Sequence, residues 1–84
     1  MYEVYLESSA ERDLKNLPSK IFDSIINQIK GLSENPRPLN CRKITNSKND
    51  WRIRIGKYRV IYEIDEKYKA VKIMKIRHRK DVYR

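Results

Sequence analysis

Between positions 51 and 55 the chain alternates strictly, with Trp51, Ile53 and Ile55 in one phase and Arg52 and Arg54 in the other. Gly56-Lys57 follows, and then a second run over 58–64 that is rich in β-branched and aromatic residues. A period of two sends successive side chains to opposite faces of a strand. Two such runs joined by a tight two-residue turn containing Gly pair as an antiparallel hairpin. One face of this hairpin is apolar and needs a cover, while the other face carries guanidinium groups. The rest of the chain must supply that cover.

The opening residues alternate as well, Tyr2, Val4 and Leu6 against Glu3, Tyr5 and Glu7, which predicts a strand with one buried face. Ser8 and Glu11 have the capping-box spacing, so a helix is expected to begin there, with Ala10, Leu14 and Leu17 as its apolar stripe. Pro18 breaks that stripe and suits the first position of a following helix. Over 19–33, Ile21, Ile25, Ile29 and Leu32 recur at helical spacing, and this second helix must end before Pro36. A short weak strand is expected over 42–45, a polar turn over 46–50, a second hairpin turn over 65–67 and a last strand over 69–77, followed by a basic tail. The expected fold class is α+β: an N-terminal strand, a helical hairpin, then an antiparallel β-meander, with the helices packed on one face of the sheet. With 84 residues and no repeat or linker, one domain spanning 1–84 is expected.

A chain this short buries only about 60% of the surface its unfolded form exposes, so the core is thin. The single Cys41 forbids an intrachain disulfide and leaves no Cys/His metal cluster. A hydrophobic fraction of 39% beside 37% charged residues excludes a disordered tail. No apolar run approaches the roughly 20 residues of a membrane span, and the start is unlike a signal peptide. A cytoplasmic protein without membrane association is expected. The net charge is +9, and it is unevenly placed. Positions 1–40 hold five bases and six acids, whereas positions 41–84 hold fifteen bases and five acids. Solubilising lysines or a thermophile's ion-pair surface would account for many charges, but not for one half holding all of the excess. The asymmetry points to a polyanionic partner: nucleic acid, an acidic protein or an anionic membrane surface.

Arg52 and Arg54 lie about 7 Å apart along their strand. Arg59 reaches the same neighbourhood across the turn, and Arg77 and Arg79 leave the end of the last strand towards it. Guanidinium forks match phosphate oxygens, so this cluster reads as a phosphate clamp. The alternative is a solvated face, each Arg paired with Glu63, Asp65 or Asp81. Familiar catalytic sets are missing. One His excludes a two-histidine ribonuclease arrangement, and Gly at 31 and 56 alone excludes a Gly-rich nucleotide loop. Scattered acids give no cluster for a nuclease metal, so neither metal nor cofactor is expected. Cys41 reads as a packing or surface thiol. His78, between two arginines, is either a proton shuttle or a surface residue of the tail. Trp51, Tyr58 and Tyr62 fall on apolar phases and read as core. Tyr83 follows a polar basic segment, where no core requires an aromatic and a base could stack.

The strings WRIRIGKYRVIYEID and KIRHRKDVYR, with ESSAERDLKNLP and LSENPRPLNCRKI before them, resemble the RelE family of toxins from bacterial and archaeal toxin–antitoxin pairs. The resemblance covers essentially the whole chain, and the Y-R-V-I-Y and R-H-R-x-x-V-Y strings favour the RelE branch of the RelE/ParE superfamily. It implies a toxin that enters the ribosomal A site and cuts mRNA there, by metal-free attack of a ribose 2′-hydroxyl on the adjacent phosphate. Carried over by position, it implies catalytic roles for Arg52, Arg54, Arg59, Arg77 and Tyr83, and RNA contacts for Lys75, Arg79 and Lys80. It also implies an acidic RelB-like antitoxin as partner, besides the ribosome and mRNA. Several family members carry Lys at one or both of positions 52 and 54, where a Lys can serve as general base; Arg, which keeps its proton, cannot. Proton transfer is therefore open among Lys57, His78 and Tyr83. Two rivals stand beside this reading: a ParE-like inhibitor of DNA gyrase, and a catalytically weak homologue that only binds RNA or antitoxin.

Overall fold

The structure, a computed structural model, describes the backbone of residues 1–82 and the side chains of residues 1–80. Its elements run β1 (Glu3–Leu6), α1 (Ser8–Lys15), α2 (Ser19–Gly31), β2 (Cys41–Lys43), β3 (Asp50–Ile55), β4 (Tyr58–Asp65), β5 (Ala70–His78) and α3 (Arg79–Val82). The α+β expectation holds: an N-terminal strand, two helices, then antiparallel strands of one sheet. The five strands lie in the order β1-β5-β4-β3-β2. All pairs are antiparallel except β1 with β5, where Val4 sits opposite Val71 in a parallel ladder. No helix among the described residues is long and apolar enough to cross a membrane.

The apolar phases meet in a single core. Ala10 and Leu14 of α1, with Ile25, Ile29 and Leu32 from α2 and its end, cover Ile53, Val60, Tyr62, Ile64, Val71, Ile73 and Ile76 of the sheet. Tyr62 is fully buried, and its hydroxyl donates to the Pro36 carbonyl at 2.7 Å, which ties the segment after α2 to the middle of the sheet. Trp51 and Tyr58 pack against the core at its margins, as does Cys41. Gly56 takes φ of +60°, a conformation that an L side chain adopts only at a cost, and so permits the tight turn between β3 and β4.

Several local expectations differ from the structure. Ser8 is the first helical residue of α1 and Glu7, in extended conformation, is its cap; no side-chain capping bond forms, so the capping box is not realised. Pro18 caps α2 from outside rather than beginning it. The weak strand is Cys41–Lys43, because its pairing with β3 is limited to the three residues opposite Ile53, Arg52 and Trp51. Leu6 remains 37% exposed at the end of β1. The basic tail turns into the short helix α3.

One polar network pins the opposite end of the sheet. Glu66, in the β4–β5 turn, accepts from the Tyr2 hydroxyl at 2.6 Å and pairs with Arg37 at 2.8 Å and Lys69 at 3.3 Å. The Arg37 guanidinium also lies 5.0 Å over the Trp51 ring. Hydrogen bonds from Tyr2 and then Arg37 hold the Glu66 carboxyl down at about 2. A carboxyl lowered in the folded state contributes stability above its unfolded value of 4.5, and loses it as pH falls towards 2. Glu66→Gln is therefore expected to lower the urea midpoint at neutral pH and to converge with the natural protein in acid. A gap between the two midpoints that stays constant from neutral to acid pH would show that the network is not linked to this carboxyl.

Candidate functional site

The short turn at Gly56-Lys57 fixes the register of the hairpin, and register brings arginines together. Arg54 of β3 is opposite Arg59 of β4, and Arg59 is opposite Arg77 of β5. Directly opposed residues share a face, with Cβ atoms about 4.5–5.5 Å apart. A row of three arginines thus crosses the sheet on the side away from α1 and α2. Their burial differs: Arg54 is exposed, Arg77 is half-buried, and Arg59 between them is only 3% exposed.

Arg77 joins this face because of an irregularity. Counted by strict alternation from the buried Ile73, it would fall on the core face. The pairing slips between Ile61, opposite Lys75, and Tyr62, opposite Ile73, so that Met74 is an extra residue. This bulge returns Ile76 to the core and turns Arg77 outward. Beyond β1 the edge of β5 is covered by α1. The Ser9 hydroxyl donates to the Met74 carbonyl at 2.6 Å, and Asp13 Oδ2 accepts from the Ile76 N–H at 2.9 Å. The same Asp13 oxygen pairs with the Arg77 guanidinium, which draws that side chain towards the sheet edge.

A cleft of ≈ 350 Å³ opens at the hairpin end of the row, lined by Arg54, Gly56, Lys57, Tyr58, Arg59, Arg79 and Lys80. The Arg79 N–H donates to the Lys57 carbonyl at 2.7 Å, so the start of α3 is fastened beside the turn and its two cations face the cleft. Five positive side chains converge here, from three elements and a turn. Arg and Lys at this density attract a polyanion and offer donors for the extra negative charge of a pentacoordinate phosphorus.

The other expected residues are placed as follows. Arg52 lies one pleat away, on the same face, and lines neighbouring grooves. Lys75 is exposed on β5 opposite Ile61, outside the cleft. His78 is opposite Tyr58 and lies on the helix side of the sheet; the two rings make an edge-on contact at 5.1 Å. Its Nδ1 accepts from the Lys80 N–H at 3.2 Å, and it lines a separate cleft with Asp13, Asn16 and Arg77. Tyr83 lies outside the described residues. Of the acids considered as partners for the arginines, Glu63 approaches Lys72 at 3.9 Å and Asp65 accepts from the Tyr68 N–H at 3.1 Å; the side chain of Asp81 is also outside the described residues. Among the described residues no three His, Cys, Asp or Glu side chains converge to hold a metal ion.

Sequence reasoning missed Asp13 and the bulge. The three-residue spacing of Ile73 and Ile76 was the available signal for the bulge, since no regular strand buries both. Nothing local marks Asp13, whose partner is 64 residues away.

Comparison with known proteins adds a family. The model for "ParE toxin of type II toxin-antitoxin system, parDE" matches residues 4–83. The chain is 32% identical over 84 residues to toxin RelG of Mycobacterium tuberculosis, covering 99% of this chain and 97% of that one. It is 34% identical over 84 residues to toxin RelE of the same organism, covering 99% and 87%. Its fold is similar to that in the archaeal RelE–RelB complex from Pyrococcus horikoshii, with a TM-score of 0.83, 28% identity and coverage of 93% and 94%.

Proposed function

The chain belongs to the RelE/ParE family of toxins from type II toxin–antitoxin systems, and we propose that it is an endoribonuclease of the RelE kind that cuts mRNA in the ribosomal A site. The observation that carries this reading is the arginine row, with Arg59 buried at its centre and the cationic cleft at its end. In this mechanism the 2′-oxygen attacks the adjacent phosphorus while the bond to the 5′-oxygen of the next nucleotide breaks. The products are a cyclic phosphate and, once the leaving oxygen takes a proton from water, a 5′-hydroxyl. Arg54 and Arg59 take the charge that develops on the nonbridging oxygens. Arg77 exchanges Asp13 for the leaving 5′-oxygen. The 2′-hydroxyl proton must go to a group other than these arginines, which stay charged throughout. Lys57 lines the cleft, which supports giving it that transfer in this reading, whereas His78 is on the other side of the sheet. Tyr83 keeps the stacking role that the family resemblance gives it.

The partner proposed for the resting state is an acidic antitoxin, in keeping with the basic half of the chain and with the RelB-bound form of the archaeal relative. The matching family model is that of ParE toxins, and the second reading is the one that a ParE-like resemblance implies, inhibition of DNA gyrase without cleavage. Primer extension on a defined mRNA in a translation extract separates the two. Discrete stops within codons, present only with ribosomes, are expected. Unbroken mRNA together with loss of gyrase supercoiling would overturn the nuclease in favour of the second reading.

A further inference from the structure

A second groove of ≈ 330 Å³ adjoins the cleft, lined by Leu39, Asn40, Arg42, Arg52 and Arg54. Arg42 of β2 and Arg52 of β3 are directly opposite each other. Like charges so placed repel unless an anion lies between them. Among the described residues neither of them, nor Arg54, enters an ion pair. The rim of the groove is built rather than loose: the Asn40 side-chain amide donates to the Arg54 carbonyl at 3.2 Å, and the Cys41 N–H donates to the Pro38 carbonyl at 3.0 Å. Between these two anchors Leu39 is fully exposed, an apolar side chain held in solvent beside a cluster of cations.

We propose that this groove is a second backbone-phosphate subsite for RNA, in which Arg42 and Arg52 bind the phosphodiester next to the one held by Arg54 and Arg59, and Leu39 packs on the intervening ribose or base. The inference rests on reading the adjoining cleft as an RNA site. Arg54 lines both grooves, so the two anion positions are continuous. Arg52 and Arg54 are about 7 Å apart along β3, which lets one strand of RNA place successive phosphates along the rows. An acidic protein segment would use the same cations, and the titration below distinguishes it. A nucleotide uses the cations and Leu39 together, one edge for charge and one face for apolar contact.

The test is a salt titration of binding to a short fluorescein-labelled RNA, 2′-O-methylated so that it cannot be cut. Arg42→Ala alters an exposed position on an edge strand, and Arg42→Gln keeps its length and polarity. Both are expected to make the plot of log affinity against log salt shallower by about 0.7, the loss of one phosphate contact on a single strand. Leu39→Ala is expected to weaken binding with the slope unchanged. A slope unaltered by either Arg42 variant, or no RNA binding by the natural protein, overturns the subsite. So does a result in which Arg42→Ala weakens binding to polyglutamate alone, which would assign the groove to an acidic protein. Cleavage in the translation extract is scored separately. Absent cleavage beside a shallower slope fells the nuclease and leaves the subsite standing.

Discussion

Arg59→Ala is expected to lower ribosome-dependent cleavage by about 10²–10³-fold, the usual loss when one preorganised donor to a developing oxyanion is removed. Arg59 is the member of the row with least freedom. It is 3% exposed, opposed by Arg54 on one side and Arg77 on the other, so its guanidinium is held in place before substrate arrives. A donor fixed in a water-poor setting stabilises charge far more than one in solvent, where water competes and the side chain must first be ordered. Arg54, exposed at the mouth of the cleft, is expected to contribute less. Arg59→Lys keeps the charge but loses the two-pronged geometry, and should fall between the natural protein and Arg59→Ala. The measurement is the yield of primer-extension stops per unit time, with thermal melts run beside it to show that each variant is folded. Cleavage by folded Arg59→Ala at the natural rate would remove the row from the reaction.

Part of this row is legible in the amino-acid sequence. The tight turn after Ile55 is enough to bring Arg54 and Arg59 together, because a two-residue connection leaves one register for the hairpin. The helices are legible for a similar reason: Ala10 with Leu14, and Ile25 with Ile29, are spaced so that only a helix lines them up. Arg77 is legible as a cation leaving the end of the last strand towards the cluster, but its face is not. By alternation from Ile73 it belongs on the wrong face, and only a residue inserted at Met74 corrects this. Bulges obey tertiary demands, here the need to bury both Ile73 and Ile76, and the three-residue spacing of those two is the one local trace of it. The parallel pairing of β1 with β5 is illegible for a related reason. Val4 and Val71 meet across most of the chain, and each strand's pattern says that it has a buried face without saying beside which strand. Asp13 follows from that pairing, since α1 reaches the edge of β5 only because β1 lies alongside it.

Ile53→Ala is expected to cost about 2–5 kcal/mol of stability, a large share of the 5–15 kcal/mol that small domains possess. Ile53 is fully buried on β3, in the core that α1 and α2 cover, and its truncation opens a cavity in a core with few side chains to relax into it. At this size each kcal/mol moves the melting temperature by about 4–8 °C, so the shift is readily seen by calorimetry or by a urea midpoint. A loss below about 1 kcal/mol would place Ile53 outside the core. The neighbours of Ile53 in sequence are Arg52 and Arg54, and they point the other way. Arg54→Ala should leave stability within about 0.5 kcal/mol, as exposed substitutions do, while reducing cleavage. The converse holds for Ile53→Ala: well below its melting temperature it should cleave at nearly the natural rate per folded molecule. Three consecutive residues of one strand then separate into one that holds the fold and two that face the substrate. The separation depends on the pleat, which is why alternation in a five-residue stretch carries information about folding and chemistry together.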